Sequence, residues 1–392
     1  ASWGRSGMHF SQNYLALGIM NVGSTSYLGN SYIEPQWGDG LYNDKLSWEE
    51  TDQYDFGLDL DMFDHRLGIT IDYYYRYTDK LLDRVRLPSA GINTGYQQQW
   101  RNAAAVSNEG LEVMVKYEIF RKSDLYWKIS VNAARNWNRF EKSYTGKDLD
   151  LVRVIGKSLN GIYALKTDGY VDYQDEVPVF YNQIGIKAPL ASEMGSSTFY
   201  KPGDYKFVDV NGDGTINSGD AVYCGSTLPI VSGGIVNEFR WKNFDLNMLM
   251  AYSLGRHMVN NLLKTVLTNG NYALMADLND VSFWEKPGDH PDYPKLECDR
   301  MNNMWDYVVD RDVEKVNYLK LKTLTMGYSF PKKWSRKAGI NELRVFISGE
   351  NLFTWTNYTG LDPETVNITT GMDYMSNYPL ARKYTLGLTL KF

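Results

Sequence analysis

The strongest regularity along the chain is an alternation of apolar and polar residues with a period of two. Leu111, Val113, Val115, Tyr117 and Ile119 alternate with Glu112, Met114, Lys116 and Glu118. After Arg-Lys-Ser-Asp, Trp127, Ile129, Val131 and Ala133 alternate with Lys128, Ser130, Asn132 and Ala134. Successive side chains of an extended strand point to opposite faces, so this pair predicts a hairpin with one apolar and one wet face. The device recurs. Tyr54, Phe56, Leu58 and Leu60 lead through "DMFDHR" into Leu67, Ile69, Ile71, Tyr73, Tyr75 and Tyr77. A strand reaching Phe239 crosses "WKN" and returns as Phe244, Leu246, Met248, Met250 and Tyr252. Leu324, Met326, Tyr328 and Phe330 precede "PKKWSRKAGINE" and then Leu343, Val345 and Ile347. A last strand carries Tyr384, Leu386, Leu388, Leu390 and Phe392 on one face.

The connections alternate as well. Short polar turns join the members of each hairpin, and long segments near 21–53, 79–105, 138–229, 255–315 and 355–380 separate one hairpin from the next. Outer-membrane barrels are built this way, with short periplasmic turns at one rim and long extracellular loops at the other. The pattern therefore predicts an all-β protein, a transmembrane antiparallel β-barrel of about ten strands. Its apolar faces would meet outer-membrane lipid, its loops would be extracellular and its C-terminus periplasmic. The final strand, apolar to its last residue, is expected to be a closing strand that pairs with a neighbour to leave no edge in lipid.

Composition changes this picture little. The 30 Tyr and 11 Trp favour strands and aromatic girdles. A mean hydropathy of −0.43 is compatible with a barrel whose strands spend every second residue on a wet lumen. No run of 18 apolar residues exists, which excludes a spanning helix. The net charge of −6 argues against a nucleic-acid partner, which would demand a basic stripe. Cys224 and Cys298 form no metal spacing, and both a single disulfide and two free thiols remain open. The opening "ASWGRSGMHF" has no initiator Met, basic segment or apolar signal region, so either a leader has been removed or the chain is a piece of something longer, and the strand count favours the second.

One stretch carries recognisable chemistry. "DVNGDGTINSGD", Asp209 to Asp220, has the order of a calcium loop of the EF-hand type, without the helices that flank an EF-hand. The expected Ca2+ ligands are Asp209, Asn211 and Asp213 through side chains, Thr215 through its carbonyl, Asn217 directly or through water, and Asp220 at the twelfth position. Gly214 permits the sharp turn, and the hydrophobic Ile216 sits at the eighth place. Asp at the twelfth position reaches less far than the usual Glu, which fits a structural site of modest affinity. Such a site is expected to clamp an excursion of roughly 90 residues that shows little core pattern of its own. His9, His65, His257 and His290 lack metal spacing, and the neighbours Glu49 and Glu50, or Asp289 and Asp292, do not establish a glycosidase pair. No enzyme activity is expected.

"VNYLKLKTLTMGYSFP" followed by "LRVFISGENLFTWTNYTGLDPE" resembles the SusC/RagA family of TonB-dependent outer-membrane transporters from Bacteroidetes. The resemblance continues in "LSWEETDQYDFGLDLDMFDHRLGITIDYYYRYTDKLL", "NEGLEVMVKYEI", "PGDYKFVDVNGDGTINSGD", "FWEKPGDHPDYPKL" and "NYPLARKYTLGLTLKF", in the family's order. It implies that residues 1–392 are the C-terminal part of a plugged barrel of the 22-strand class. The plug and TonB-binding segment would lie in an N-terminal region outside this chain; an independent ten-stranded barrel is the alternative. The implied function is TonB-dependent import of oligosaccharides or oligopeptides. The implied partners are a SusD-like surface lipoprotein seated as a lid, TonB, and other surface lipoproteins. The competing expectation is a structural or adhesive barrel that only displays its loops. Helix-like spacing of Met258, Leu262, Leu263, Val266 and Leu267 in Gly255–Leu267 predicts a short rim helix, with lid docking as its sharper reading. Trp100, Trp284, Trp305 and Tyr307 are placed in loops, as packing residues or as surfaces for sugar rings or a peptide.

Overall fold

The computed structural model describes residues 1–9, 20–27, 30–37, 41–87, 98–149, 153–181, 187–189, 191–192, 201–261, 281–295, 308–335, 339–373 and 378–392, with the backbone alone for 20–37, 180–181 and 187–192. It is an all-β, antiparallel structure. Ten strands make up the main sheet: β1 (Ser2–Met8), β2 (Glu49–Met62), β3 (Leu67–Arg86), β4 (Gln98–Arg121), β5 (Leu125–Lys142), β6 (Val231–Trp241), β7 (Phe244–Asn260), β8 (Val313–Ser329), β9 (Glu342–Thr356) and β10 (Lys383–Lys391), with a separate hairpin of Met20–Tyr27 and Asn30–Trp37 between β1 and β2. The ten hydrogen-bond in that order, and a two-residue strand at Met372–Asp373 joins β7 off the path. The strand count and the hairpin connections agree with the sequence pattern.

The alternation translates directly into faces. On β2, Tyr54, Phe56, Leu58, Leu60 and Met62 are exposed, and on β10 so are Tyr384, Leu386, Leu388 and Leu390, with Leu386 at 78%. No second sheet covers these rows among the described residues. Between them lie the polar partners, tied across strands: Thr70 donates to Asp59 at 2.7 Å, Lys128 pairs with Glu238 at 3.7 Å, and Arg344 pairs with Asp245. Gly327 leaves the room that the Arg344–Asp245 pair fills. Gly387, opposite Phe346 on β9, leaves a gap occupied by the Phe346 ring.

Several elements differ from the sequence expectation. β3 runs to Arg86 and β4 starts at Gln98, so 79–86 and 98–105 of the expected loop are strand, while 88–97 lie outside the described residues. Lys80 is left-handed at φ 58°, and β3 continues through it. Gly255–Asn260 is not helical but continues β7, while 262–267 lie outside the described residues. Met258 and Val259 pair with Glu314 and Val313 of β8, and Val259 with Met372 on its other side. Tertiary pairing therefore overrides the helical spacing. A register shift between Ser253 and Arg256, with Gly255 at φ 71°, carries the strand through.

The chain divides into two compact units. The first comprises 1–58, 71–112 and 136–159. Its core is Val85, Ala103, Ala104, Ala105 and Phe140, with Ser107 donating to Glu141 and Arg153 paired with Asp83 at 2.7 Å. Asn102 holds the approach to β2 by bonding both the N–H and the carbonyl of Ser47.

The second comprises 59–70, 113–135 and 160–392. It contains β6–β10 and, between β5 and β6, a folded excursion with paired strands of its own. Gly161–Leu165 pairs with Ala221–Ser226, and Thr167–Tyr170 with Tyr205–Phe207. Val171, Tyr205, Phe207, Ile216, Trp284 and Val309 are buried there. The expectation that this excursion has little core is thus corrected: its core is assembled from segments more than 100 residues apart, which local pattern does not reveal.

Placing Arg on the exposed apolar row, as in Leu388→Arg, is expected to destabilise the folded protein by about 2–4 kcal/mol, whereas Thr385→Lys on the polar face costs less than about 1 kcal/mol. Urea unfolding of the full-length protein in lipid bilayers measures both. Equal costs at the two positions would contradict an acyl-chain environment for the row.

Candidate functional site

The loop Asp209–Asp220 leaves the short strand Tyr205–Phe207, passes through Thr215–Ile216 and a 3-10 turn at Ser218–Asp220, and enters Ala221–Ser226. Asx turns shape it, because short acidic and amide side chains reach backbone N–H groups a few residues on. Asp209 accepts from Gly212 at 2.7 Å and from Gly214 at 2.9 Å. Asn211 Oδ1 accepts from Asp213 N at 2.8 Å while Asn211 Nδ2 donates to Asp213 Oδ2 at 3.1 Å. Asp213 Oδ1 accepts from Thr215 N at 2.8 Å. Gly212 and Gly214 are left-handed at φ 75° and 82°, a conformation glycine adopts without strain. The fully buried Ile216 anchors the loop in the excursion's core.

Asp220 is also fully buried. Its Oδ1 accepts from Val210 N at 2.9 Å and Asn211 N at 3.3 Å, and its Oδ2 from Asn217 N at 3.0 Å, so it stitches the loop's start to its end. Asn217 caps the 3-10 turn through Gly219 N at 2.7 Å. The six sequence-assigned residues therefore share one tight loop. Among the described residues, however, no three His, Cys, Asp or Glu side chains converge as a metal-binding group.

A second feature escaped the sequence reading. Two Lys-Pro-Gly-Asp segments, Lys201–Asp204 and Lys286–Asp289, form the same turn. In each, the Asp carboxylate accepts the Lys N–H, at 2.6 and 2.9 Å, and the Asp N–H donates to the Lys carbonyl, at 3.1 and 3.2 Å. Both turns grip the 171–172 backbone and side chain: Gly203 N donates to Val171 O, and Gly288 N to Asp172 Oδ2. The repeated tetrapeptide was the signal available in the sequence.

Beside these turns lies a cleft of about 410 Å³ whose walls include Asp168, Tyr170, Asp289, His290 and Arg311. Tyr170 stacks on Tyr205 at 5.5 Å, and the Arg311 guanidinium lies over the Tyr170 ring at 5.0 Å while donating to its hydroxyl at 2.6 Å. Burial pushes the Tyr170 and Tyr293 phenols up to about 12 each, and Tyr205 further, so all three are neutral packing groups. Asp289 is held below the usual carboxylate range by the Lys286 N–H it accepts. These groups spend their polar capacity on the fold.

The other singled-out residues are similarly engaged. Trp284 is only 6% exposed and its indole N–H donates to Asp172 at 2.9 Å, so it is a packing residue and not a sugar platform. Trp100 lies in β4, not in a loop, with the Arg84 guanidinium over its ring at 4.8 Å. Glu50 pairs with Lys80, and Glu49 accepts Leu82 N. Asp292 accepts the Ser282 hydroxyl at 2.7 Å. His65 lies 3.3 Å from Asp61 in an exposed turn, and the half-buried His257 packs over Gly225. Cys224 is half-buried, its thiol 3.4 Å from the Val222 carbonyl. Cys298, Trp305 and Tyr307 lie outside the described residues.

Comparison with known proteins matches residues 1–262 to the family model "TonB dependent receptor-like, beta-barrel". TonB-dependent receptor P3 of Formosa agariphila is 31% identical over 362 residues, covering 89% of this chain and 35% of the relative. TonB-dependent receptor SusC of Bacteroides thetaiotaomicron is 28% identical over 393 residues, covering 97% of this chain and 35% of the relative. Among solved structures, the RagAB peptide transporter superposes with a TM-score of 0.71 at 23% identity, over 100% of this chain and 40% of its own, a likeness of fold. The chain thus spans between a third and two fifths of the length of these relatives. With 262 of 392 residues matched and the hairpin order of a barrel wall, the chain belongs to the TonB-dependent receptor-like β-barrel family, a family of outer-membrane barrels and not of enzymes.

Proposed function

We propose that this chain supplies part of the barrel of a nutrient importer that takes oligosaccharides or oligopeptides across the outer membrane, driven by TonB and covered by a SusD-like surface lipoprotein. The observation that carries this reading is similarity to SusC over 97% of the chain. The fold likeness to the RagAB peptide transporter adds support. The exposed apolar rows of β2 and β10 are the surface such a barrel turns to lipid. In the proposed orientation the short turns and the C-terminus are periplasmic, and the folded excursion of 160–230 is extracellular. Native purification of the full-length protein from outer membranes, followed by mass spectrometry, is expected to return a stoichiometric lipoprotein and an oligomeric ligand. Deleting the gene is expected to abolish growth on that ligand as sole nutrient. A barrel recovered alone, with unchanged growth after deletion, would favour a structural or adhesive role instead.

Within the excursion we infer a structural Ca2+ site at Asp209, Asn211, Asp213, Thr215, Asn217 and Asp220. What supports it is the loop spacing, the two left-handed glycines and the chemistry of the carboxylates. A carboxylate offers about four lone-pair sites, and Asp209 uses two of them on N–H groups. Calcium at ten to twenty times its Kd is expected to raise the stability of the full-length protein by about 1.5 kcal/mol, read as a shift in urea midpoint or Tm. Asp213→Asn keeps an acceptor for Thr215 N but removes a charge, and is expected to weaken the response. A wild-type protein indifferent to calcium and chelator would end the assignment.

A further inference from the structure

The segment joining β9 to β10 folds back onto the sheet. Phe353 and Trp355 of β9 are exposed and pair with Leu321 and Leu319 of β8, so Lys320, between those two leucines, points to the opposite, polar side. Lys320 is 2% exposed and pairs with Asp362 at 3.0 Å and Glu364 at 2.7 Å, both belonging to that segment. Residues 357–373 therefore lie across the polar face of β7 and β8.

A second buried cation holds the same segment in a different way. Arg256, from the register shift in β7, is 5% exposed and pairs with no carboxylate among the described residues. Its Nη1 donates to the carbonyl of Pro363 at 3.5 Å, and its Nη2 to those of Val366 and Asn367 at 3.2 and 3.1 Å. Nε finds no partner among the described residues. A buried guanidinium facing only carbonyl dipoles is tolerable while those dipoles stay converged on it, and costly once they part. Backbone bonding supports the arrangement, with Val259 N donating to Gly371 O at 2.9 Å and the Thr227 hydroxyl to Ile368 O at 2.6 Å.

We propose that residues 357–373 form a fixed strap on the polar face of the sheet, with Arg256 as its keystone, so that this segment is a permanent part of the wall and not one of the loops that open and close. Segments that move in function are drawn from the low-stability end of a structure, held by exposed contacts that part at little cost. Here both anchoring cations are buried, and releasing the strap strands each of them. The planar fork of Arg256 reaches three carbonyls of the strap at once, which a lysine ammonium on a single stem does not reproduce. Leu361 and Ile368, exposed on the strap, are thereby held at constant positions. The inference is independent of what the barrel carries.

Hydrogen exchange of the full-length protein in lipid nanodiscs tests it. In the wild type, peptides covering 362–371 are expected to exchange as slowly as the ends of β7 and β8. Arg256→Met, which keeps the bulk but removes the donors, should speed exchange there by roughly ten-fold or more, with 244–252 unchanged. R256K should behave like R256M. If R256M does not assemble, Arg256→Ala with added methylguanidinium should regain protection that methylammonium does not restore. Wild-type exchange of 362–371 at the rate of an unstructured peptide overturns the strap. R256M indistinguishable from wild type, or equal rescue by both cations, overturns the keystone.

Discussion

The arrangement of this protein depends on the need of every backbone N–H and C=O along its long strands to find a partner on an adjacent strand. A sheet whose apolar rows, such as Leu386, Leu388 and Leu390, stand exposed on one side is built for a solvent that offers no hydrogen bonds. There the ladder is the sole source of backbone satisfaction, so neighbours must be antiparallel, continuous and in register. The uninterrupted order of β1 to β10 meets that demand with short turns on one side. The price appears on the other, where long connections have to fold by their own means.

Those connections solve the problem in two ways. The excursion between β5 and β6 acquires a core of Tyr205, Phe207, Ile216 and Trp284, reinforced by two Lys-Pro-Gly-Asp turns that bond Val171 and Asp172. The segment after β9 has only a small buried cluster of Tyr358 and Val366 with Met258 and Val316, and it leans on charges and carbonyls from the sheet beneath. In both, an acidic side chain used as a turn clasp, Asp289 or Asp362, does what a longer apolar sequence does elsewhere.

How much of this could be read in advance follows from the range of the interactions. Period two is local, so the hairpins, the turns and the exposed face of β10 are visible in the order of residues alone. The extension of β4 back to Gln98 was not, because "QQWRNAAAV" lacks apolar alternation and earns its strand geometry from β3 and from Asn102 clasping Ser47. The helical spacing at Gly255 misled for the same reason: its hydrophobic residues answer to β8 and to Met372, far along the chain. The acidic loop was legible as a continuous stretch with Gly214 at its sharp turn, whereas the second left-handed glycine, Gly212, was not singled out. The use of Asp220 as a clasp on Val210 and Asn211 depends on a buried setting that spacing does not encode.

The notch at Gly387 has a bearing on how β10 docks. With Phe346 seated over the missing side chain, a slide of β10 by a single position would bring that ring against Leu386 or Leu388 and turn the whole strand inside out. One glycine thus acts as a keyway, giving an otherwise repetitive Thr-Leu ribbon a single depth of insertion.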